Sequence, residues 1–123
     1  MLVIKTSGAR GRGVFLTEAV SEGTLIERCP VIVVPAEQLE ALAATSLAEY
    51  WFRWGPLGED GAIALGFDSL YNHAPEPNAV YVRHFAEGVL EFIALRDIAA
   101  DEEVLVNYHG GLADRSPVWF DIE

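Results

Sequence analysis

Three short segments of this chain carry side chains whose types and spacing could do chemistry. The stretch "YNHAPEPN", Tyr71 to Asn78, sets an amide and an imidazole side by side and adds two prolines and a second Asn. Proline fixes φ and stiffens the turn, so Asn72, His73 and Asn78 would be held there as oriented hydrogen-bonding groups. Earlier, "GARGRG" places Gly8, Gly11 and Gly13 just ahead of an apolar run, where the missing side chains let backbone approach a ligand closely. Later, "VNYHGG" puts Tyr108 at the end of a strand-like alternation, directly before a glycine pair. Taken singly, each segment has a plain structural reading as well: a tight turn, a glycine-rich loop and a rim aromatic.

Several other chemistries are excluded. The glycine segment is not a dinucleotide-binding fingerprint, because that motif opens a helix and here a strand follows. His73, His84 and His109 show no helical i, i+3 or i, i+4 pair of the kind that builds a metal site, so no metal is expected. Cys29 is the only cysteine, which removes an internal disulfide and a cysteine-built zinc site. With 19 Asp and Glu against 8 Lys and Arg, the formal charge of −11 repels nucleic acid and attracts cationic peptides. Such a surface also serves plain solubility.

The elements that must position these groups are short. With 123 residues there is room for one core but not for separate cofactor and substrate domains. "LVIK", "GVFLT", "TLIER" and "VIVV" read as brief β-branched strands bounded by Gly or Pro. "PAEQLEALAAT" changes period, with Leu39 and Leu42 three apart behind Pro35, and predicts one principal helix between Pro35 and Phe52. Glycines at 55, 58, 61 and 66 and Pro56 mark a loop around a short strand at Ala62 to Leu65. "AVYVRHF" and "VLEFIALR" flank "AEG" as a hairpin, and "EVLVNY" alternates toward a last strand. Trp119 and Phe120 suggest that the C-terminal segment docks on the body. No apolar run approaches the roughly 20 residues of a membrane span, and the opening lacks a secretory-signal pattern, so a cytoplasmic protein is expected, or a nuclear one in a eukaryotic host.

In order and spacing, a G-x-G before a strand, an N-H-x-x-x-P-N turn, and "DEEVLVNY" ending in its tyrosine resemble the SET-domain family of protein lysine methyltransferases. The resemblance covers nearly the whole chain. "GRGVFLTEAVSEGTLIE" is similar to the family's first motif, and "LEFIALRDIAADEEVLVNYHG" to the strand, turn and strand leading to its catalytic tyrosine. It implies a mainly β fold of short strands with one principal helix and a knot-like C-terminal core. Residues 1–123 would form a single SET domain, with about 36–65 as a variable insert and about 110–123 packing on the site. The sequence departs from the family pattern in following His73 with Ala74 and Pro75, in placing Asn107 before the tyrosine, and in having no Cys-rich segment. "SPVWFDIE" would then complete the lysine channel without metal.

The resemblance also implies S-adenosylmethionine as cofactor. Gly11, Arg12 and Gly13 would offer backbone contacts, Asn72 would bind the methionine part, the His73 backbone would reach toward adenine, and Trp119 would stack on that ring. Tyr108 would lie at both cofactor and lysine. Tyr81, three positions after Asn78, would stand beside the lysine channel and hold the product to low methylation states. A lysine amine with pKa near 10.4 costs about 4 kcal/mol to deprotonate at neutral pH, so an aromatic, desolvated channel beside a sulfonium would lower that cost. The implied partner is a lysine-containing basic protein, histone-like or ribosomal, with no direct nucleic acid and no membrane; a homodimer is compatible. The alternative is a SET-like module that binds peptide or cofactor without turnover.

Overall fold

Strand β3 (Leu25–Val34) is the spine of the structure. The segments "TLIER" and "VIVV", read as two strands, form this single ten-residue element with Pro30 in its interior. A proline is tolerated there because β3 changes partner at that point. Residues Leu25 to Pro30 pair antiparallel with β8 (Val89–Ala94), and Val31 to Val34 pair antiparallel with β5 (Asp60–Ala64). The missing proline N–H therefore falls where one ladder hands over to the next. The computed structural model describes residues 1–8 and 11–107.

Around this spine a five-stranded sheet runs in the order β4 (Phe52–Trp54), β5, β3, β8, β7 (Ala79–His84). The hairpin expected around "AEG" is β7–β8, in register from Ala79↔Ala94 to His84↔Val89. Strands β1 (Leu2–Thr6) and β2 (Arg12–Leu16) make a separate antiparallel pair. A third small sheet joins β6 (Asn72–His73) to β9 (Leu105–Val106) in parallel. The expected mainly β, mainly antiparallel fold is present.

The helix is shorter than its pattern predicts. A 3-10 turn at Ala36–Gln38 leads into α1 (Leu39–Ala43), and the chain then turns until Phe52 enters β4. Thr45 ends it: its backbone N–H bonds back to Leu42 in a tightened last turn, its hydroxyl donates to the Leu42 carbonyl at 2.7 Å, and the same oxygen accepts from Leu47 N–H at 3.2 Å. A threonine side chain thus takes over the backbone pairing that helix propagation needs. The expected knot-like C-terminal core lies outside the described residues.

The core gathers Val14 and Leu16 of β2, Tyr81, Leu90 and Phe92 of the central sheet, and Ile98, Val104 and Val106 of the segment that ends in β9. Phe92 is its centre. Tyr71 stacks on it with ring centroids 4.3 Å apart, and Tyr81 and Phe52 pack at 5.8 and 6.4 Å. Phe92→Ala should therefore cost about 3–5 kcal/mol of folding free energy, the range for emptying a buried aromatic position. Urea unfolding reads it directly, and a loss under 1 kcal/mol would mean that the aromatic cluster is not what holds the sheet to β6.

Candidate functional site

The segment 102–106 lies between two loops that are far apart in sequence. On one side β2 runs beside it: Leu16 N–H donates to the Glu102 carbonyl at 3.2 Å, Val104 N–H to the Val14 carbonyl at 2.8 Å, and Phe15 bridges Glu103. On the other side the Asn72–Asn78 turn is attached at both ends. Asn72 and His73 pair with Leu105 and Val106, and Ala74 N–H donates to the Val106 carbonyl at 2.9 Å. Asn78, only 3% exposed, closes the far end. Its Nδ2 donates to the Glu103 carbonyl at 2.9 Å, its Oδ1 accepts from Leu105 N–H at 2.8 Å, and its own N–H donates to the Leu105 carbonyl at 3.1 Å.

This sandwich brings the glycine segment to the Asn-His turn. Asn72 Nδ2 donates to the Arg12 carbonyl at 2.9 Å and to Glu103 Oε2 at 2.7 Å. Both acceptors require donors, so the amide orientation is determined, and Oδ1 is left as an acceptor. Gly13 makes the approach possible, because a Cβ there would stand 2.9 Å from Asn72 Nδ2 and against the Glu103 carboxylate. Gly11 closes the preceding turn, its carbonyl accepting from Ser7 N–H at 2.5 Å. His73 is half-buried within β6.

Two residues outside the sequence-level candidates organise this surface. Glu103 receives Asn72 and, through Oε1, the Ser7 hydroxyl at 2.6 Å. An acid inside the otherwise apolar alternation of "EVLV" is the sequence signal that would have singled it out. Next to it, Glu102 accepts from Arg96 at 2.6 Å and from Ala99 N–H at 2.9 Å, and the Arg96 contact holds its carboxyl below the usual range.

Asn107, the departure before the tyrosine, is 2% exposed and donates to the Pro75 carbonyl at 3.4 Å. It ties the proline turn to the strand end immediately before Tyr108. Tyr108 and Trp119 lie outside the described residues. Tyr81 is 5% exposed in the aromatic core, with its ring 5.3 Å from Phe52 and the Arg83 guanidinium 5.1 Å from its centroid. Its ring packs in the core beneath β7. Of the sequence-level candidates, then, Arg12, Gly13 and Asn72 meet, with Gly11 and His73 as their chain neighbours. These acceptors suit a ligand with N–H groups to place against Asn72 Oδ1 and a neighbouring carboxylate.

The SET domain family profile matches residues 11–109. A fission yeast (Schizosaccharomyces pombe) histone-lysine N-methyltransferase specific for H3 lysine-37 is 32% identical over 123 residues, covering 99% of this chain and 78% of that protein. The crystal structure of a candidate histone methyltransferase of Plasmodium falciparum superposes with a TM-score of 0.72 at 28% identity, covering 87% of this chain and 91% of that one. Polycomb repressive complex 2 of Chaetomium thermophilum, in an autoinhibited conformation bound to S-adenosylmethionine, shares the fold with a TM-score of 0.77 at 20% identity, over 92% of this chain and 16% of that one.

The packing at Gly13 yields a test of the site's geometry. In Gly13→Ala the Glu103 carboxylate must swing away, giving up Asn72 and Ser7, so the loss is one of hydrogen bonds to a charged group, roughly 1–3 kcal/mol. A lowered melting midpoint is expected. A variant as stable as the parent would show that the Glu103 contacts yield at no cost.

Proposed function

The chain belongs to the SET-domain family, and from that premise we propose that it is an S-adenosylmethionine-dependent protein-lysine N-methyltransferase acting on a basic, histone-like protein. The observation that carries this reading is the placement of Asn72 against the Arg12–Gly13 backbone, on a turn stitched to the strand that leads into Tyr108. The charge of −11 favours encounter with a Lys- and Arg-rich tail. Among the described residues no helix is long and apolar enough to cross a membrane.

S-adenosylmethionine supplies an electrophilic methyl group on a sulfonium centre. The residues of this chain do the positioning. Asn72 Oδ1, with the amide nitrogen already committed to Arg12 and Glu103, would accept from the ammonium of the methionine part, and the glycine-lined backbone at Gly11, Arg12 and Gly13 would offer the remaining close contacts. The His73 backbone would reach toward adenine, and Trp119 would stack on that ring. Tyr108 would orient the lysine amine toward the methyl carbon; a tyrosine with an unperturbed pKa near 10 suits positioning and not proton removal. The amine would lose its proton to solvent before transfer, and a desolvated channel would lower the cost of that step. We also assign residues 1–123 to one domain, with about 36–65 as the family's variable insert and about 110–123 closing the site.

Incubation with labelled S-adenosylmethionine and a panel of histones and ribosomal proteins tests the whole reading, and label in a substrate lysine is the expected result. Asn72→Ala should weaken cofactor binding about ten- to hundredfold by calorimetry, the worth of a hydrogen bond to a charged group. Tyr108→Phe should keep cofactor affinity and lose most of the transfer rate. A folded Asn72→Ala protein with parental affinity, or a Tyr108→Phe protein with parental turnover, would remove those residues from the site.

Tyr81 carries a separate expectation about product. If its hydroxyl crowds the lysine channel, Tyr81→Phe shifts the product toward di- and trimethyllysine at matched turnover, as read by mass spectrometry. Its ring packing on Phe52 and Phe92 supplies the competing outcome. A change in stability or overall rate with an unaltered methyl distribution would leave Tyr81 a core residue only.

A further inference from the structure

Away from the Asn72–Glu103 surface, three donor side chains meet beneath the Asn-His turn. Glu27 and Cys29, two residues apart on β3, share a strand face, and Asp68 comes from a 3-10 turn (Asp68–Leu70) just before Tyr71. One ligating atom from each lies within 4.8 Å of the others. They converge beside Gly66: a Cβ at that position would stand 2.8 Å from both Asp68 Oδ1 and Cys29 Sγ and against Glu27 Oε2. Only glycine leaves room for three such groups there.

The burial of these groups is unequal in what it satisfies. Glu27 is well supported, with Oε1 accepting from the Tyr71 hydroxyl at 2.7 Å and Oε2 from Phe67 N–H at 2.8 Å. Asp68 is 2% exposed, yet neither of its oxygens has a hydrogen-bond partner. Cys29, 1% exposed, stands against Asp68, where its thiol offers only a weak hydrogen bond. A buried, unpartnered carboxylate beside a second carboxylate needs neutralising by a proton or a cation.

We propose that Glu27, Cys29 and Asp68 form a buried site for one thiophilic divalent cation of the Zn2+ class. A sulfur with two carboxylates suits Zn2+ or Cd2+ and not Mg2+ or Ca2+, which ask for six or more oxygens. Three protein ligands leave one tetrahedral position for water. Binding releases the Cys29 thiol proton, and that of Asp68 where it is protonated, to solvent as the metal–sulfur and metal–oxygen bonds form. Tyr71 is the outer partner that orients Glu27, and it precedes Asn72 in the chain. The cation would staple the approach to the cofactor turn onto β3. The histidine spacings examined in the sequence do not reveal the site, because its ligands stand at 27, 29 and 68.

The full chain, stripped with chelator, is titrated with ZnCl2 by calorimetry and with CdCl2 by ultraviolet difference spectroscopy. The expected result is one equivalent bound with proton release, a thiolate-to-cadmium charge-transfer band, and a melting midpoint raised by Zn2+. Cys29→Ser should abolish the band, and Tyr71→Phe should weaken Zn2+ binding about 10- to 100-fold while keeping its ring on Phe92. The wild-type band stands as evidence even where a variant fails to fold. A folded wild type with no band and no stoichiometric heat overturns the proposal, and so does binding undiminished in Cys29→Ser. If Asp68→Asn is more stable than a wild type that binds no metal, a proton is the neutralising group and the cation site is rejected.

Discussion

One buried side-chain amide, that of Asn78, holds together the part of the molecule on which the site depends. Its Nδ2 and Oδ1 take the Glu103 carbonyl and the Leu105 N–H, the pair of backbone groups that a neighbouring strand would otherwise satisfy. A side chain here substitutes for a stretch of β-ladder, and it does so from the end of a proline-stiffened turn. Buried backbone groups must find partners. Without this fork, residues 103–105 would have β2 on one side and little on the other. With it, the Asn-His turn, the final strand and the glycine segment are fixed relative to one another.

The polar groups above and below that turn work in opposite ways. At the surface, Glu103 accepts from Ser7 and Asn72, so its charge aligns the amide and leaves Asn72 Oδ1 as an acceptor. Beneath, Glu27 is saturated by Tyr71 and Phe67, and Asp68 next to it is not. Tyr71 and Asn72 are consecutive, and Tyr71 has extended backbone, so one residue serves the interior and the next serves the surface. The aromatic stack of Tyr71 on Phe92 anchors the shared backbone between them.

Much of this was legible in the residues. The proline turn, the glycine segment and the strand running toward Tyr108 were visible as motifs, and three of the residues singled out, Arg12, Gly13 and Asn72, do meet. The hairpin from Ala79 to Ala94 was legible because both strands are local and the turn between them is marked. The helix was overextended because its propensity runs on past Ala43, while the Thr45 hydroxyl that ends it competes for carbonyls in a way that periodicity does not register. The break of β3 at Pro30 was a false boundary for a related reason: a proline forbids a ladder bond only if a partner is asking for one.

What the sequence determined by itself was the menu of local pieces: short β-branched strands, a stiff turn carrying amides, a glycine run that cannot clash, and an acidic balance of charge. These follow from torsional preference, periodicity and residue chemistry, which act over a few neighbours. Only the tertiary structure decided which pieces touch. That β6 and β9 pair in parallel across more than thirty positions, that Glu103 becomes the acceptor for Asn72, and that Glu27, Cys29 and Asp68 share one buried corner all depend on β3 changing partners at Pro30 and on Asn78 reaching across the fold. Contacts of that kind are fixed by simultaneous packing around Phe92 and by the demand that every buried polar group find a partner, and neither constraint is local to any stretch of the chain.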